Sequence, residues 1–352
     1  MKFRTLSVGI AILLMVVGIS LAMFADAKVL PAQKDETLKA GDYRISGPYT
    51  HENLTIFLIH GKDTISGKKF LTLQEAMQRK VVIVHETKDV NELAIENVSS
   101  DEEVYVQSGD IVKGGQQDRV LAVDLIVEPR SGKIPIAAFC VESGRWRQRG
   151  QESAGKFESS NEIIATKGLK IAANKTKSQG EVWAKVTEAQ DKLSNNVGSS
   201  VNSSASASSL QLSLENKKVQ EVTDNYIKKL SGIISGKSDV IGYAFAINGK
   251  INSSDVYGSN ALFQKLWPKL LKASAVEALA ELQKGATFET VRADSVKDFF
   301  ADAEDGKPSD NAVSTRVKMV TRETDEIILF ETRDAKQGPS GGVVHRSYVK
   351  KQ

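Results

Sequence analysis

A second cysteine is missing. Cys140 is the only one in 352 residues, so neither an intramolecular disulfide nor a Cys-x-x-Cys zinc site can be built. Histidine is scarce as well. His51, His60, His85 and His345 stand far apart, in no His-x-His or His-Glu-x-x-His arrangement. Charge of one sign is not in excess. A formal net charge of +3, with no basic run interleaved with aromatics, gives no pointer to nucleic-acid binding, with a local basic patch left open. Phosphate-cradling and nucleophile motifs are lacking too. "GKKF" and "SGGVV" make no Walker loop, and "GPSGG" at 338–342 lacks Gly-x-Ser-x-Gly spacing. The expectation is therefore no metal, no cofactor and no nucleic-acid partner. Lysine pairs such as Lys217-Lys218 and Lys228-Lys229 read as solvated helix faces.

What is present begins at the N-terminus. Lys2 and Arg4 precede an uncharged, mostly apolar stretch from Thr5 to Ala25. Ala25-Asp26-Ala27 then places small residues at both positions that a signal peptidase reads, with cleavage before Lys28. The alternative is a retained anchor over 5–25, since the stretch approaches the ~20 residues that span a bilayer. Gly9, Gly18 and Ser20 weaken that alternative. The expected protein is exported, periplasmic or extracellular, and has no integral membrane segment after cleavage. A cell-envelope partner is compatible with that location.

Beyond the signal (1–27) and a flexible lead-in (28–49), the pattern predicts a single large α+β domain over 50–349. Its β-rich part, 50–146, is expected to form an antiparallel sandwich or rolled sheet. Short strand-like runs follow one another there without helical crossovers: "NLTIFLIHG" (53–61), "VVIVHE" (81–86), "ELAIENV" (92–98), "EEVYVQSG" (102–109), "DRVLAVDLIVEP" (118–129) and "KIPIAAFCVE" (133–142). One helix interrupts at 71–80, with Thr72 as N-cap and Glu75 three residues on. In the mixed part, 150–349, helices pack with further strands. A helix is expected at 179–196, a mobile Ser-rich loop at 197–210, and an amphipathic helix through Val219, Val222, Tyr226, Leu230 and Ile233. Asn248-Gly249 marks a hairpin. Pro268 predicts a kink or restart in the helix after Ser259. "EIILFETRD" and "GGVVHRSYV" close the chain as a hairpin.

The chemistry-bearing residues concentrate in "GDIVKGGQQDRVL" (109–121) and "CVESGRW" (140–146). Gly114 and Gly115 permit positive φ and a tight reversal. Alternation along the neighbouring strand puts Ile134, Ile136, Ala138, Cys140 and Glu142 on one face, with Glu142 at the rim. The expectation is a polar rim uniting Gly114, Gly115, Gln116, Gln117 and Arg119 with Glu142, Arg145 and Trp146. Arginine forks suit carboxylate or phosphate, and Trp146 offers a stacking face. The competing reading is structural: Glu142 pairs with Arg119 or Arg145 and seals the sheet end, with Trp146 over the core. Cys140, in the apolar run "IPIAAFCV", reads as a buried thiol.

These blocks carry a resemblance. "LTLQEAM", "LAIENVSSDEEVYVQSGDIVKGGQQDRVLAVDLIVEP", "IPIAAFCVESGRW" and "AINGKINSSDVYGSNALFQKLWPKLLKASAVEAL" resemble successive blocks of the bacterial ARG- and Rhodanese-Phosphatase-superfamily-associated Protein domain family, over roughly 50–349. The Ser-rich stretch near 199–209 is poorly covered. The resemblance implies no established activity, because the family name records association rather than chemistry. It adds weight to the rim as a site.

Two function classes follow. The first is a binding module for an unidentified small ligand, anionic or sugar-like, at the rim. The second is a hydrolase-type enzyme using Glu142 as general acid or base, with Arg119 or Arg145 stabilising negative charge. The second needs a titratable partner near Glu142, for which Asp110, Asp118 and Asp255 are the candidates. A purely structural role at the envelope is the third possibility.

Overall fold

The computed structural model describes residues 42–65, 67–337 and 342–351. The expected signal segment 1–27 and residues 28–41 of the lead-in lie outside them. The first half contains β1 (Arg44–His51), β2 (Leu54–His60), β3 (Leu71–Thr72), α1 (Leu73–Gln78), β4 (Val82–Asp89), β5 (Glu92–Asn97), β6 (Val104–Val106), β7 (Asp110–Gly114), β8 (Arg119–Leu121), β9 (Leu125–Val127), β10 (Lys133–Cys140) and β11 (Phe157–Ile163). Then come α2 (Lys167–Ile171), a π-helical turn (Ala172–Thr176), α3 (Gln179–Val197), α4 (Leu210–Leu214), α5 (Lys217–Leu230), β12 (Val240–Ile247), β13 (Lys250–Tyr257) and α6 (Asn260–Ala280). The chain closes with α7 (Ala293–Glu304), β14 (Lys307–Ala312), β15 (Val317–Glu323), β16 (Ile327–Asp334) and β17 (Gly342–Lys350).

The fold is α+β, and the strands make three sheets. Eight antiparallel strands run in the order β1-β2-β12-β13-β17-β16-β15-β14. Six more run β11-β7-β8-β10-β5-β4, and β3-β6-β9 form a small third sheet. The two halves are thus interleaved, because β2 pairs with β12. The first strand also begins at Arg44, inside the segment read as lead-in.

The large sheet is covered on both faces, which explains strands without alternation. Every residue of β12, "VIGYAFAI", is buried. In β2, Ile56 and Leu58 join the cluster containing α6 residues Phe263, Leu266 and Trp267. Phe57 and Ile59 join the opposite cluster, with Phe299 and Phe300 of α7. Each such side chain, fully buried, stabilises the fold by roughly 1.5–3 kcal/mol. The same packing accounts for Pro268. α6 runs through it without a restart. Leu262, Phe263, Leu266 and Trp267 before the proline and Leu270 and Leu271 after it are all buried, and together outweigh its cost of about 3 kcal/mol.

Local signals behave as their chemistry dictates. Thr72 and Glu75 form a reciprocal capping box on α1. Asn248 and Gly249 both take positive φ, +53° and +71°, in the β12–β13 turn. The run 118–129 differs from expectation. It is two strands, β8 and β9, in different sheets. The chain changes sheet at Ala122–Asp124, where Asp124 turns inward to accept the Ser108 N–H at 2.7 Å. Among the described residues no helix is long and apolar enough to cross a membrane.

Candidate functional site

The rim is built on the β7–β8 turn and its pairing with β10. Gly114 and Gly115 take φ of +106° and +56°. A Cβ on Gly115 would lie 2.4 Å from the Phe157 ring and 3.0 Å from Glu86 Oε2, so only glycine fits there. Asp118 closes the turn, its Oδ1 accepting the Gly114 N–H at 3.0 Å. Because Arg119 pairs with Cys140, Gln117 comes opposite Glu142 and donates from Nε2 to its carbonyl at 2.6 Å.

The eight residues meet at one end of the sheet, but their charges divide into two groups. In the outer group, Arg119 is wholly buried. It donates to the Val90 carbonyl at 2.7 Å and to Glu86 Oε1 at 3.3 Å. Its guanidinium lies 5.6 Å from the Trp146 ring centroid, a cation–π contact. Glu86 Oε2 accepts the Gln116 N–H at 3.2 Å. Arg119 therefore pairs with Glu86, and not with Glu142.

In the inner group, Glu142 Oε2 sits 2.6 Å from Arg145 Nη2, an ion pair without hydrogen-bond alignment. It also accepts the Asp118 N–H at 3.2 Å. Arg149 grips Asp118 with both nitrogens, at 2.7 and 3.1 Å, and reaches Glu152 at 2.8 Å. The Ser-rich segment lies over this group. Ser209 Oγ donates to Asp118 Oδ2 at 3.0 Å, Ser209 bridges Glu142 through the backbone, and Ser208 donates to the Ser143 carbonyl. Burial raises the Glu142 pKa, but Arg145, Ser206 and the Asp118 N–H outweigh it and hold the carboxyl below its usual value. Glu142 is thus ionised and has no exposed surface, a poor position for a proton donor.

Of the three acids expected beside Glu142, only Asp118 is there. Asp110 pairs with Lys269 at 2.5 Å. Asp255 belongs to a second buried centre, which the sequence did not reveal. There His345 on β17 bonds through Nδ1 to Asp124 at 2.8 Å and through Nε2 to Asp255 at 3.2 Å. Lys170 stands 3.3 Å from Asp255, Thr332 donates to Asp124 at 2.6 Å, and Tyr257 stacks on the imidazole with centroids 4.5 Å apart. Burial lowers the His345 pKa, but the two carboxylates outweigh it and push it up to about 9. The adjoining cavity, about 20 Å³, admits nothing larger than a water-sized molecule. The available signal was Asp124, a lone charge within the apolar run "VLAVDLIV".

Cys140 is fully buried. Both its backbone groups are clamped by the Gln179 side chain, each at 2.8 Å. Burial is the main cause that pushes its thiol up to about 11. Native protein is expected to resist an aromatic disulfide reagent and to react in denaturant. Full labelling of the folded protein within seconds would contradict this burial.

Trp146 is the exception to this closure, with 48% of its surface exposed. A ligand-sized hollow of about 600 Å³ lies elsewhere, floored by Phe299 and Ile327 and edged by Lys250 and Arg292. Comparison with known proteins adds a single finding. The family model of the ARG and Rhodanese-Phosphatase-superfamily-associated Protein domain matches residues 42–349. No curated protein and no solved structure matches the chain.

Proposed function

From a chain that belongs to this family, whose activity is uncharacterised, we propose an exported binding protein that takes a small sugar-like ligand on Trp146. The observation that carries the proposal is the half-exposed Trp146 ring, fixed from behind by the buried Arg119 guanidinium. A rigid aromatic plate with one face open suits the apolar face of a sugar ring. Exposed Arg147 and Gln148 follow it and can supply hydrogen bonds. An anionic ligand is less suited, because Arg119, Arg145 and Arg149 already face Glu86, Glu142 and Asp118. Export is supported by the basic, apolar and Ala-x-Ala pattern of the first 27 residues.

The test is a thermal-shift and calorimetric screen of neutral sugars against uronates and sugar phosphates. Trp146→Ala is expected to cost about 1–2 kcal/mol of stability, the worth of its contact with the buried Arg119, while leaving the protein folded, and to abolish binding of the neutral sugar. Arg292→Ala, at the 600 Å³ hollow, is expected to leave binding intact. Binding that survives Trp146→Ala but fails in Arg292→Ala would move the site to the hollow. A screen in which only anions bind would also reject the proposal.

A further inference from the structure

A different part of the molecule holds a buried acid with an unused oxygen. Glu277 on α6 is 2% exposed. Its Oε1 accepts the Lys167 backbone N–H at 2.8 Å. Among the described residues its Oε2 has no partner in good hydrogen-bond geometry, although the Asn252 side chain lies near enough to favour the ionised carboxyl. Glu277 lines a hollow of about 170 Å³ between α2, α3, α6 and the C-terminal Lys351. We propose that this hollow binds a small oxyanion, a phosphate or carboxylate group, and that Glu277 enters the complex as the neutral acid.

The charges around the hollow select that ligand. From α3, Lys185 and Lys192 face in but share Glu188 at 2.7 and 2.8 Å. Lys192 also meets Glu281 of α6 at 2.7 Å. Lys351 is held by Glu323 at 2.8 Å. From the α2 side come Lys167 and, nearby, Lys170, which is committed to Asp255. Burial lowers the Lys167 pKa against the attraction of Glu277 and Glu281, as befits an amine without a close counter-charge. Four ammonium groups line the space, and two of its three carboxylates are already engaged.

Glu277 then decides what enters. Burial pushes its pKa up to about 7, against the Lys167 N–H and the Lys170 charge. In the neutral form, Oε1 keeps the Lys167 N–H and the wall of the hollow loses one of its negative charges. An oxyanion in the hollow then meets the Lys167 ammonium without an opposing charge on Glu277. In the ionised form the carboxylate repels the same ligand. Anion binding and proton uptake are therefore coupled, each favouring the other. At about 30 Å³ per water, the volume takes a ligand of a few heavy atoms with little solvent, and excludes bulky metabolites.

The experiment uses probes that do not themselves titrate near neutrality. Acetate represents a carboxylate and sulfate a phosphate, each titrated calorimetrically at constant ionic strength, at about pH 6 and pH 8. The expected result is binding of at least one probe. Its affinity should fall about tenfold across that interval, with proton uptake from the buffer, as one group of pKa near 7 requires. Sulfate alone would assign a phosphate site, and acetate alone a carboxylate site. Glu277→Gln is neutral at both pH values, so it should bind with a flat pH profile. Lys167→Met should weaken binding at least fivefold at both pH values. The proposal is overturned if neither probe binds, if wild-type affinity is independent of pH, if Glu277→Gln keeps the wild-type slope, or if Lys167→Met binds normally.

Discussion

Replacing His345 with Asn is expected to destabilise the protein by about 3–5 kcal/mol at neutral pH, the usual cost of leaving buried charges unpaired. The imidazole is the shared partner of Asp124 and Asp255, both almost fully buried. Without it, Asp124 retains the Ser108 N–H and Thr332 hydroxyl, and Asp255 retains Lys170. Neither set brings the two carboxylates a common positive charge. A second consequence separates this electrostatic role from simple packing. The folded pKa of His345 is raised from 6.5 to about 9. A raised pKa means that the folded state holds the proton more tightly. The associated stability is fully present below about pH 6.5 and is lost as pH rises through about 9, to a total of roughly 3 kcal/mol. Asp124 and Asp255 act in the opposite sense, since their pKa values are lowered despite burial, by His345 and by Lys170 with His345 respectively. Their contribution is present above the ordinary carboxylate range and falls away in acid. Urea denaturation at pH 6.5, 8 and 9.5 should therefore show wild-type stability declining across the series, and in His345→Asn the decline should be much shallower, the remainder coming from Glu277 below pH 8 and Cys140 above it. A variant that keeps the full wild-type slope would show that His345 does not carry the pH dependence.

How much of this was legible follows from how far apart the interacting residues are. Thr72 with Glu75, Asn248 with Gly249, and Gly114 with Gly115 are local devices, and their geometry is written in adjacent residues. The meeting of Gln117 with Glu142 was one step harder. It needed only strand alternation and a short hairpin-rich topology, so parity placed both at the same sheet end. The partners inside that end were not accessible in this way. Glu86 comes from β4 to meet Arg119, 33 residues away. Ser209 arrives from a segment 91 residues after Asp118. His345 lies 221 residues from Asp124 and 90 from Asp255. No periodicity links such positions, because the contacts exist only after three sheets have assembled. Strand 118–129 failed for a related reason. Its apolar run continues unbroken while the backbone changes sheets, and burial on both sides of the junction demands the same residue types as one long strand. β14 escaped because "KPSDNA" is exposed throughout, an edge strand whose pairing comes from β15 rather than from hydrophobic patterning.

Arg149 lies just outside the block that drew attention to the rim, yet its replacement by Met is expected to cost about 3–5 kcal/mol. Its fork satisfies both oxygens of Asp118, at 2.7 and 3.1 Å, and Asp118 has no exposed surface. After the change, Arg145 would remain 3.7 Å from Asp118 and would still be committed to Glu142 at 2.6 Å. One cation would then serve two buried carboxylates. Arg147, exposed and two residues earlier, provides the control, and Arg147→Ala should stay within about 0.5 kcal/mol of wild type. Combining Arg149→Met with Asp118→Asn should cost less than the two changes added together, because the second removes the charge that the first left stranded. The sign of the single change decides what the inner group is for. Polar groups held in strain for a ligand commonly yield a more stable protein when removed, whereas a seal yields a weaker one. A raised melting temperature in Arg149→Met would assign Asp118 and Glu142 to a binding site beneath the Ser208–Ser209 cover. The expected fall leaves them as the closure that keeps Arg119 and the open face of Trp146 in place.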